Sequence, residues 1–423
     1  MLFEELKKIF KVRGLLVVLA FGLLYYMLFV APQMKNYPGS YQMTVDVGLE
    51  LLNKYGNEIS PEEYRDFMAD YERREENPGG ILEEINDFIA GNALMADYGI
   101  KNVNGLEAAI EELTMDSGPS EAGTLLMEEI YSAFTPDDYA NAMEAQIDLD
   151  IRKNYLALYR QEVMGEGVAG AEAGTEVAHE AATEVASEAA TEAATGYYHE
   201  LDGAQQRRVS KRTEAEVYGV LPYEVYDCTF KVFQFWAFFL AAAALFFIVP
   251  YIVKDNRSGA RILQYTGKAG RRYDLIRMLA VIIAAGAVWL AGAAVFLWLC
   301  RLNHVLPFWN SPVSSFASGV ICWLPLSLGD LILLGLLWAA ALTLGLVLIA
   351  FCVTRSCTNY ITAIAWMLPM LLVTAVFCGM ILVKPLELDT PAWLAFGFTA
   401  AVAAAGLLGA VIGWLAGRRR SVD

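Results

Sequence analysis

Histidine and the usual metal-binding patterns are scarce in this chain. Its 423 residues include only three histidines, and none of them lies in an HExxH pair. The six cysteines form no CxxC pair and lie in or beside apolar runs, so the sequence indicates neither a zinc site nor a disulfide framework. We expect all of them to be small core residues: Cys228, Cys300, Cys322, Cys352, Cys357 and Cys378.

Nucleotide-hydrolysing and other catalytic motifs are also absent from the sequence. No G-x-S-x-G occurs, and Gly267-Lys268 has neither the spaced upstream glycine nor the following Ser or Thr of a phosphate-binding loop. No basic stripe with interleaved aromatic residues indicates nucleic-acid binding. We therefore predict that the chain is not an enzyme by itself and holds no cofactor or metal. Any energy must come from an ion path or from a partner.

Charged residues make up only 19% of the chain and hydrophobic residues 56%, which is too apolar for an ordinary soluble domain. Several apolar runs exceed about 18 residues, the length that predicts a membrane-spanning helix. We predict an all-α membrane protein with six transmembrane helices. The predicted spans are residues 14–32, 231–253, 275–300, 322–352, 360–384 and 392–416.

Basic residues beside these runs predict the orientation of the chain. Residues 1–13 are expected to form a basic amphipathic helix that lies in the membrane interface. The segment 254–274 and the tail 417–423 are rich in Lys and Arg, which places both in the cytoplasm. We therefore expect a protein of the plasma membrane with both termini inside the cell.

Residues 34–230 are predicted to form one large extracytoplasmic domain. They hold 40 acidic and 13 basic residues. Ser60-Pro61 and Thr135-Pro136 are typical helix starts, each followed by an acidic residue three positions after the cap, so the domain is predicted to be mostly helical. Within it, residues 165–196 are an Ala/Glu repeat, which we expect to be a mobile, partly helical excursion.

An ion-coupled carrier would need ionisable groups inside its spans, where each costs about 2.5–3.5 kcal/mol on insertion scales. The sequence offers only Asp330 for this purpose, and its position near the end of a predicted helix favours a structural role. The spans are instead rich in Ala, Gly and Leu, and small residues let helices pack closely. The composition favours a membrane body that is moved by a partner.

The segment between the second and third predicted spans is the most distinctive part of the sequence. Residues 254–277 contain seven basic and two acidic residues. Within them, residues 260–265 are predicted to form a short helix with an apolar ridge of Ile262, Leu263 and Tyr265. Because a plain loop needs no such ridge, this pattern is typical of a segment that docks into a partner protein.

This segment and the order of the spans resemble the permease subunits of the ABC-2 class of ATP-binding-cassette transporters, also described as type V exporters. The shared order is an amphipathic helix, a first span, a large external insert and five further spans. The segment itself matches in an acidic residue, a glycine, a leucine and basic residues: Asp255, Gly259, Leu263, Arg271 or Arg272, and Arg277. It departs in having Asp where Glu is more usual, and Gly267-Lys268-Ala269-Gly270 in place of a Pro-Ile/Leu-Ser step.

The resemblance implies a coupling helix that fits a cleft on an ATP-binding subunit. It implies these ATPase-coupling residues: Asp255, Arg257, Gly259, Ile262, Leu263, Tyr265, Arg271 and Arg272. The implied partners are two ATPase subunits, which would bind ATP and magnesium, and a second copy of the chain or a paralogous permease. The expected function is export of a peptide, lipid or ion. The alternative is a sensor or mechanical transmitter that acts on an extracytoplasmic partner and moves no substrate.

Overall fold

The computed structural model describes residues 2–35, 40–115, 121–164, 217–258, 272–355, 357, 359–387 and 392–419. Within these ranges the chain has helices and no β-strand, and six helices are long and apolar enough to cross a membrane. These helices, named span 1 to span 6 below, are Val12–Met34, Tyr223–Arg257, Leu275–Leu302, Leu328–Thr354, Tyr360–Leu382 and Trp393–Ile412. The prediction of an all-α multi-pass membrane protein is confirmed.

Two helix starts differ from the predicted bounds. Span 2 begins at Tyr223 rather than at residue 231, because the first turns of the helix already bury apolar side chains such as Tyr226 and Phe230. Span 4 begins at Leu328 rather than at residue 322, because Ser327 caps the helix. The residues before the cap are not helical: Cys322 forms an isolated β-bridge with Glu387, and the Trp323 amide donates to the Leu386 carbonyl at 2.9 Å.

The chain divides into two compact units. The first, called the membrane unit, comprises Met1–Tyr37, Val225–Asn310 and Cys322–Asp423. The second unit comprises Pro38–Glu224 and Ser311–Ile321. The predicted boundaries 34–230 therefore missed Ser311–Ile321, which lies far away in sequence between spans 3 and 4.

Ser311–Ile321 belongs to the second unit because its apolar residues complete that unit's core. Phe316 is fully buried, and its ring centroid lies 5.1 Å from that of Tyr159 and 6.1 Å from that of Tyr155. The Phe316 amide donates to the Val217 carbonyl at 3.1 Å, and Ser315 Oγ donates to the Leu221 carbonyl at 3.0 Å.

Two helix starts in the second unit have the cap chemistry that the sequence predicts. Ser60 and Thr135 each accept a hydrogen bond from the amide three residues on, and the acidic side chain at that position accepts from the cap amide in return. Among its described residues, the helices of this unit, α2 to α8, are Ser40–Tyr55, Pro61–Glu76, Gly80–Gly91, Ala93–Asp97, Val103–Met115, Glu121–Ala133 and Pro136–Glu162. The Ala/Glu repeat at 165–196 lies outside the described residues, so its predicted behaviour stays a prediction.

Small residues bring spans 4 and 6 of the membrane unit into close contact. A Cβ atom added at Gly406 would lie 2.6 Å from the Gly345 carbonyl oxygen, and one added at Gly345 would lie 2.9 Å from the backbone of Val402. Side chains cannot be accommodated at such distances, so the two helices touch through their backbones.

Candidate functional site

The helix α1, Leu2–Ile9, meets the ends of spans 2, 3 and 4 in a buried polar cluster of the membrane unit. We call it the junction cluster: Glu5, Lys8, Tyr251, Asp255, Asn256 and Arg277. Apolar side chains of the same elements surround it, including Ile9 and Ile252, which are 4% and 1% exposed. The predicted interfacial helix is therefore attached to the ends of the spans by packing as well as by polar contacts.

Glu5 joins α1 to span 2. Its side chain is 4% exposed, and it accepts a hydrogen bond from the Tyr251 hydroxyl. Lys8 Nζ lies 2.6 Å from Glu5 Oε1, one helical turn along α1. A buried carboxylate is costly unless it is paired and hydrogen-bonded, and these two partners meet that requirement.

Asp255 and Arg277 join span 2 to span 3. Arg277 Nη2 lies 3.4 Å from Asp255 Oδ2, and the two side chains are 3% and 12% exposed. At this distance the contact is an ion pair rather than a tight hydrogen bond. The Arg277 guanidinium also lies 5.4 Å from the centre of the Tyr251 ring, within the range of a cation–π contact. Tyr251 thus contacts α1 with its hydroxyl and span 3 with its ring.

Asn256 joins span 2 to the end of span 4. Its Nδ2 donates to the carbonyl oxygens of Thr354, Arg355 and Cys357 at 2.9, 3.2 and 3.1 Å. The last carbonyls of a helix have no partner within the helix, and Asn256 supplies one from a neighbouring span. The final turn of span 2 is therefore the part of the structure to which the other three elements are attached.

The positive and negative charges of the junction cluster are equal in number. Two carboxylates face two cations, at 2.6 Å for Glu5 and Lys8 and at 3.4 Å for Asp255 and Arg277. No group of three His, Cys, Asp or Glu side chains that could hold a metal ion occurs in the part of the chain that the structure describes. The arrangement fixes the two helix ends from which the segment 259–271 departs, and it holds α1 against them.

The structure places the predicted coupling residues in different situations. Asp255 is buried in the junction cluster, Arg257 is exposed at the last residue of span 2, and Arg272 is the first residue of the helix Arg272–Leu302 that contains span 3. The others lie outside the described residues, and their coupling role stays a prediction: Gly259, Ile262, Leu263, Tyr265 and Arg271.

Four residues of the cluster, Glu5, Lys8, Tyr251 and Asn256, were not predicted from the sequence. Glu5 is one of several charged residues on an amphipathic helix, and nothing local distinguishes it from a solvated one. Asn256 follows an apolar run as an ordinary polar flank would. Only Tyr251, a hydroxyl at the end of a buried helix, gives a signal in sequence, because such a group usually needs a partner.

The expectation that Asp330 is the only ionisable group inside the spans was wrong, because Arg277 lies within span 3. The structural role expected of Asp330 is confirmed. Asp330 Oδ2 accepts a hydrogen bond from Ser327 Oγ at 2.8 Å, and the Asp330 amide donates to Ser327 Oγ at 3.1 Å. The expected core role of the cysteines is also confirmed: five are buried, and Cys352 is half-buried.

In comparisons with known proteins, no family model, no curated protein and no solved structure matches the chain. The candidate site therefore rests on its own geometry.

Proposed function

We propose that this chain is the membrane-spanning subunit of an ATP-binding-cassette transporter of the ABC-2 type, and that ATPase subunits in the cytoplasm bind its segment 259–271. The junction cluster is the observation that carries the proposal. It is a largely buried set of side chains with two ion pairs, at the two helix ends that flank this segment. A segment that transmits a movement must be attached to helix ends that are held firmly together, and the contacts of this cluster would hold them.

The mechanism follows from the attachments of span 2. When the ATPase subunits close on ATP, they displace the docked segment. The ion pair between Asp255 and Arg277 makes the ends of spans 2 and 3 move together, and Asn256 passes the movement to span 4. Tyr251 passes it to α1 through Glu5. The close backbone contact of spans 4 and 6 then carries it further into the membrane unit.

The proposed cargo is an exported peptide, lipid or ion, and the proposed working form is a dimer with a second copy or with a paralogous permease. ATP and magnesium belong to the ATPase subunits. In this arrangement the segment 259–271 and both termini lie in the cytoplasm, and the second unit lies outside the cell.

Affinity purification of the tagged chain from mild detergent tests the proposal. We expect an ATPase with nucleotide-binding motifs to copurify with the wild type. Leu263→Asp and Tyr265→Asp should uncouple its ATP hydrolysis from transport without loss of folded membrane protein. Gln264→Asp adds the same charge beside the apolar ridge and serves as the matched control. If Leu263→Asp and Tyr265→Asp keep both the ATPase and full transport, segment 259–271 is not the docking site.

A second candidate function is a sensor or mechanical transmitter. It is favoured by the second unit, which is a compact body with its own core and with ion pairs to the buried Arg152 side chain. Such a body is suited to act on another extracytoplasmic protein. Reconstitution with the copurified ATPase separates the two functions: ATP-dependent movement of a substrate into or out of the vesicles supports a transporter, and hydrolysis that is stimulated only by an added protein partner supports a sensor.

A further inference from the structure

A long apolar cleft runs between spans 1, 2 and 5 of the membrane unit. Its volume is about 690 Å³, within the range of about 300–1,000 Å³ that is usual for ligand sites. Its lining is aromatic and aliphatic and includes Phe21, Phe239 and Leu371. The hydroxyl of Tyr25, which also lines the cleft, donates to the Phe235 carbonyl at 3.1 Å. This surface suits an alkyl chain and offers little to a polar ligand.

Two lysines meet near one end of this cleft. The side chains of Lys11, just before span 1, and Lys254, in the last turns of span 2, lie next to each other. Contact with the Lys254 side chain, partial burial and the like charge of Lys254 lower the pKa of Lys11, and the negative charge of Asp255 opposes this shift. Both side chains are exposed, and neither forms an ion pair with a carboxylate among the described residues. Two adjacent ammonium groups without an anion between them form an anion-binding surface.

The backbone of span 1 adds to this positive potential. Lys11 is the N-cap of the helix Val12–Tyr25, and its side chain makes no cap hydrogen bond. The first amides of a helix carry partial positive charge, and this helix start lies directly beside the two lysines. A phosphate group is the kind of anion that such a helix start attracts.

The lysines and the cleft have the spacing of a lipid headgroup and its chain. Pro250 and Val249 line the cleft four and five residues before Lys254, and Val17 and Val18 line it six and seven residues after Lys11. At about 1.5 Å per helical residue, the cleft begins roughly 6–9 Å along the helix axes from the Cα atoms of the two lysines. A phosphate at the lysines would thus lie at the membrane surface, with an acyl chain directed into the cleft.

We propose that the cleft and the lysine pair together bind one anionic phospholipid, with its phosphate between Lys11 and Lys254 and an acyl chain between spans 1, 2 and 5. Charge complementarity selects this occupant, because an alkyl chain that carries a phosphate satisfies the apolar cleft and the paired ammonium groups at once. Binding at this site needs no nucleotide and no ATPase, so this proposal can be tested independently of the proposed transport function.

Native mass spectrometry of the full-length protein in mild detergent tests the headgroup. The protein is equilibrated with equal amounts of phosphatidylglycerol and phosphatidylcholine. We expect the wild type to retain phosphatidylglycerol preferentially. Lys11→Gln with Lys254→Gln should reduce that preference by about fivefold for each lysine. The matched control is Lys7→Gln with Lys231→Gln, because these lysines are paired with Glu4 and Asp227. Equal retention in the two double variants would overturn the proposal.

A phosphatidylglycerol with a photoreactive acyl chain tests the cleft. In vesicles, we expect labelled peptides from spans 1, 2 and 5. Ala242→Trp fills the cleft and should reduce this labelling severalfold. Ala287→Trp is the control, because Ala287 is exposed on span 3 and does not line the cleft. Unchanged labelling in Ala242→Trp would overturn the proposal. The proposal would also be overturned if the wild type gave no labelling and two copies of Phe21→Cys formed a disulfide, because a second copy of the chain would then cover the cleft.

Discussion

Replacement of Arg277 by methionine is expected to destabilise the membrane unit strongly. Methionine keeps the apolar stem of the side chain and removes the charge. Asp255, whose side chain is 12% exposed, then loses its ion-pair partner, and Tyr251 loses the cation above its ring. Removal of one partner from a buried ion pair costs about 3–5 kcal/mol, and the lost cation–π contact adds about 0.5–2 kcal/mol.

The measurement is thermal unfolding of the purified full chain in detergent, followed by tryptophan fluorescence. At about 2–4 °C for each kcal/mol, even the smallest total loss, about 3.5 kcal/mol, lowers the unfolding temperature by about 7–14 °C. Arg13→Met is the matched control, because Arg13 is exposed near the same end of the membrane unit. Its unfolding temperature should stay near that of the wild type.

A double-mutant cycle separates the ion pair from a general packing effect. Asp255→Asn alone leaves a buried cation and should also destabilise the unit. The double variant with Arg277→Met removes both charges, and replacement of a whole buried pair by neutral groups is often close to neutral. We therefore expect the double variant to be more stable than the sum of the single effects predicts. Strict additivity, or an Arg277→Met variant as stable as Arg13→Met, would refute the reasoning.

Two further changes test the rest of the fold. Gly406→Ala should lower the thermal unfolding temperature, because the new Cβ would lie 2.6 Å from the Gly345 carbonyl oxygen and disturb the contact of spans 4 and 6. Gly286→Ala is the control, because a Cβ added there meets nothing within 4 Å. Arg152→Met should cost the second unit about 1–3 kcal/mol in urea unfolding, at the lower end because Glu50 is 42% exposed. Burial alone would raise the pKa of Glu50, but the hydrogen bond from Arg152 and the charges of Arg152, Arg74 and Lys54 together outweigh it and hold that pKa below its ordinary value of 4.5. The stability that this pair contributes is therefore present at neutral pH and is lost as the pH falls below about 4.5. Arg152→Met should make the stability of the second unit less dependent on pH in this range. An unchanged pH dependence would contradict this prediction.

The length and composition of the apolar runs were sufficient to predict six spans, because a helix that crosses a membrane must satisfy its own backbone groups over about 20 apolar residues. The caps at Ser60 and Thr135 were equally accessible, since their partners lie three residues away. Both signals are local, which is why a single sequence contains them in full.

The remaining features depend on residues that are distant in sequence. Phe316 looks like any aromatic residue in a connecting segment, yet it belongs to the core formed by Tyr155 and Tyr159. The pairing of Asp255 with Arg277 links two helix ends on either side of a basic segment, where charged residues are normally expected to be solvated. Burial and partner choice are tertiary properties, and the periodicity of one helix does not contain them.

In the last turns of span 2, two charged residues that are neighbours in sequence lie in different surroundings. Asp255 points inward and is neutralised by Arg277 of span 3. Lys254, its neighbour in sequence, is exposed and contacts another cation, Lys11. A buried pair that is already balanced has no capacity for a further ion, so the inner face is suited to hold helices in register. Two neighbouring ammonium groups repel each other until an anion lies between them. We therefore expect this end of the membrane unit to gain free energy by binding a ligand at its outer face, and in the proposed transporter the inner face would pass on the movement.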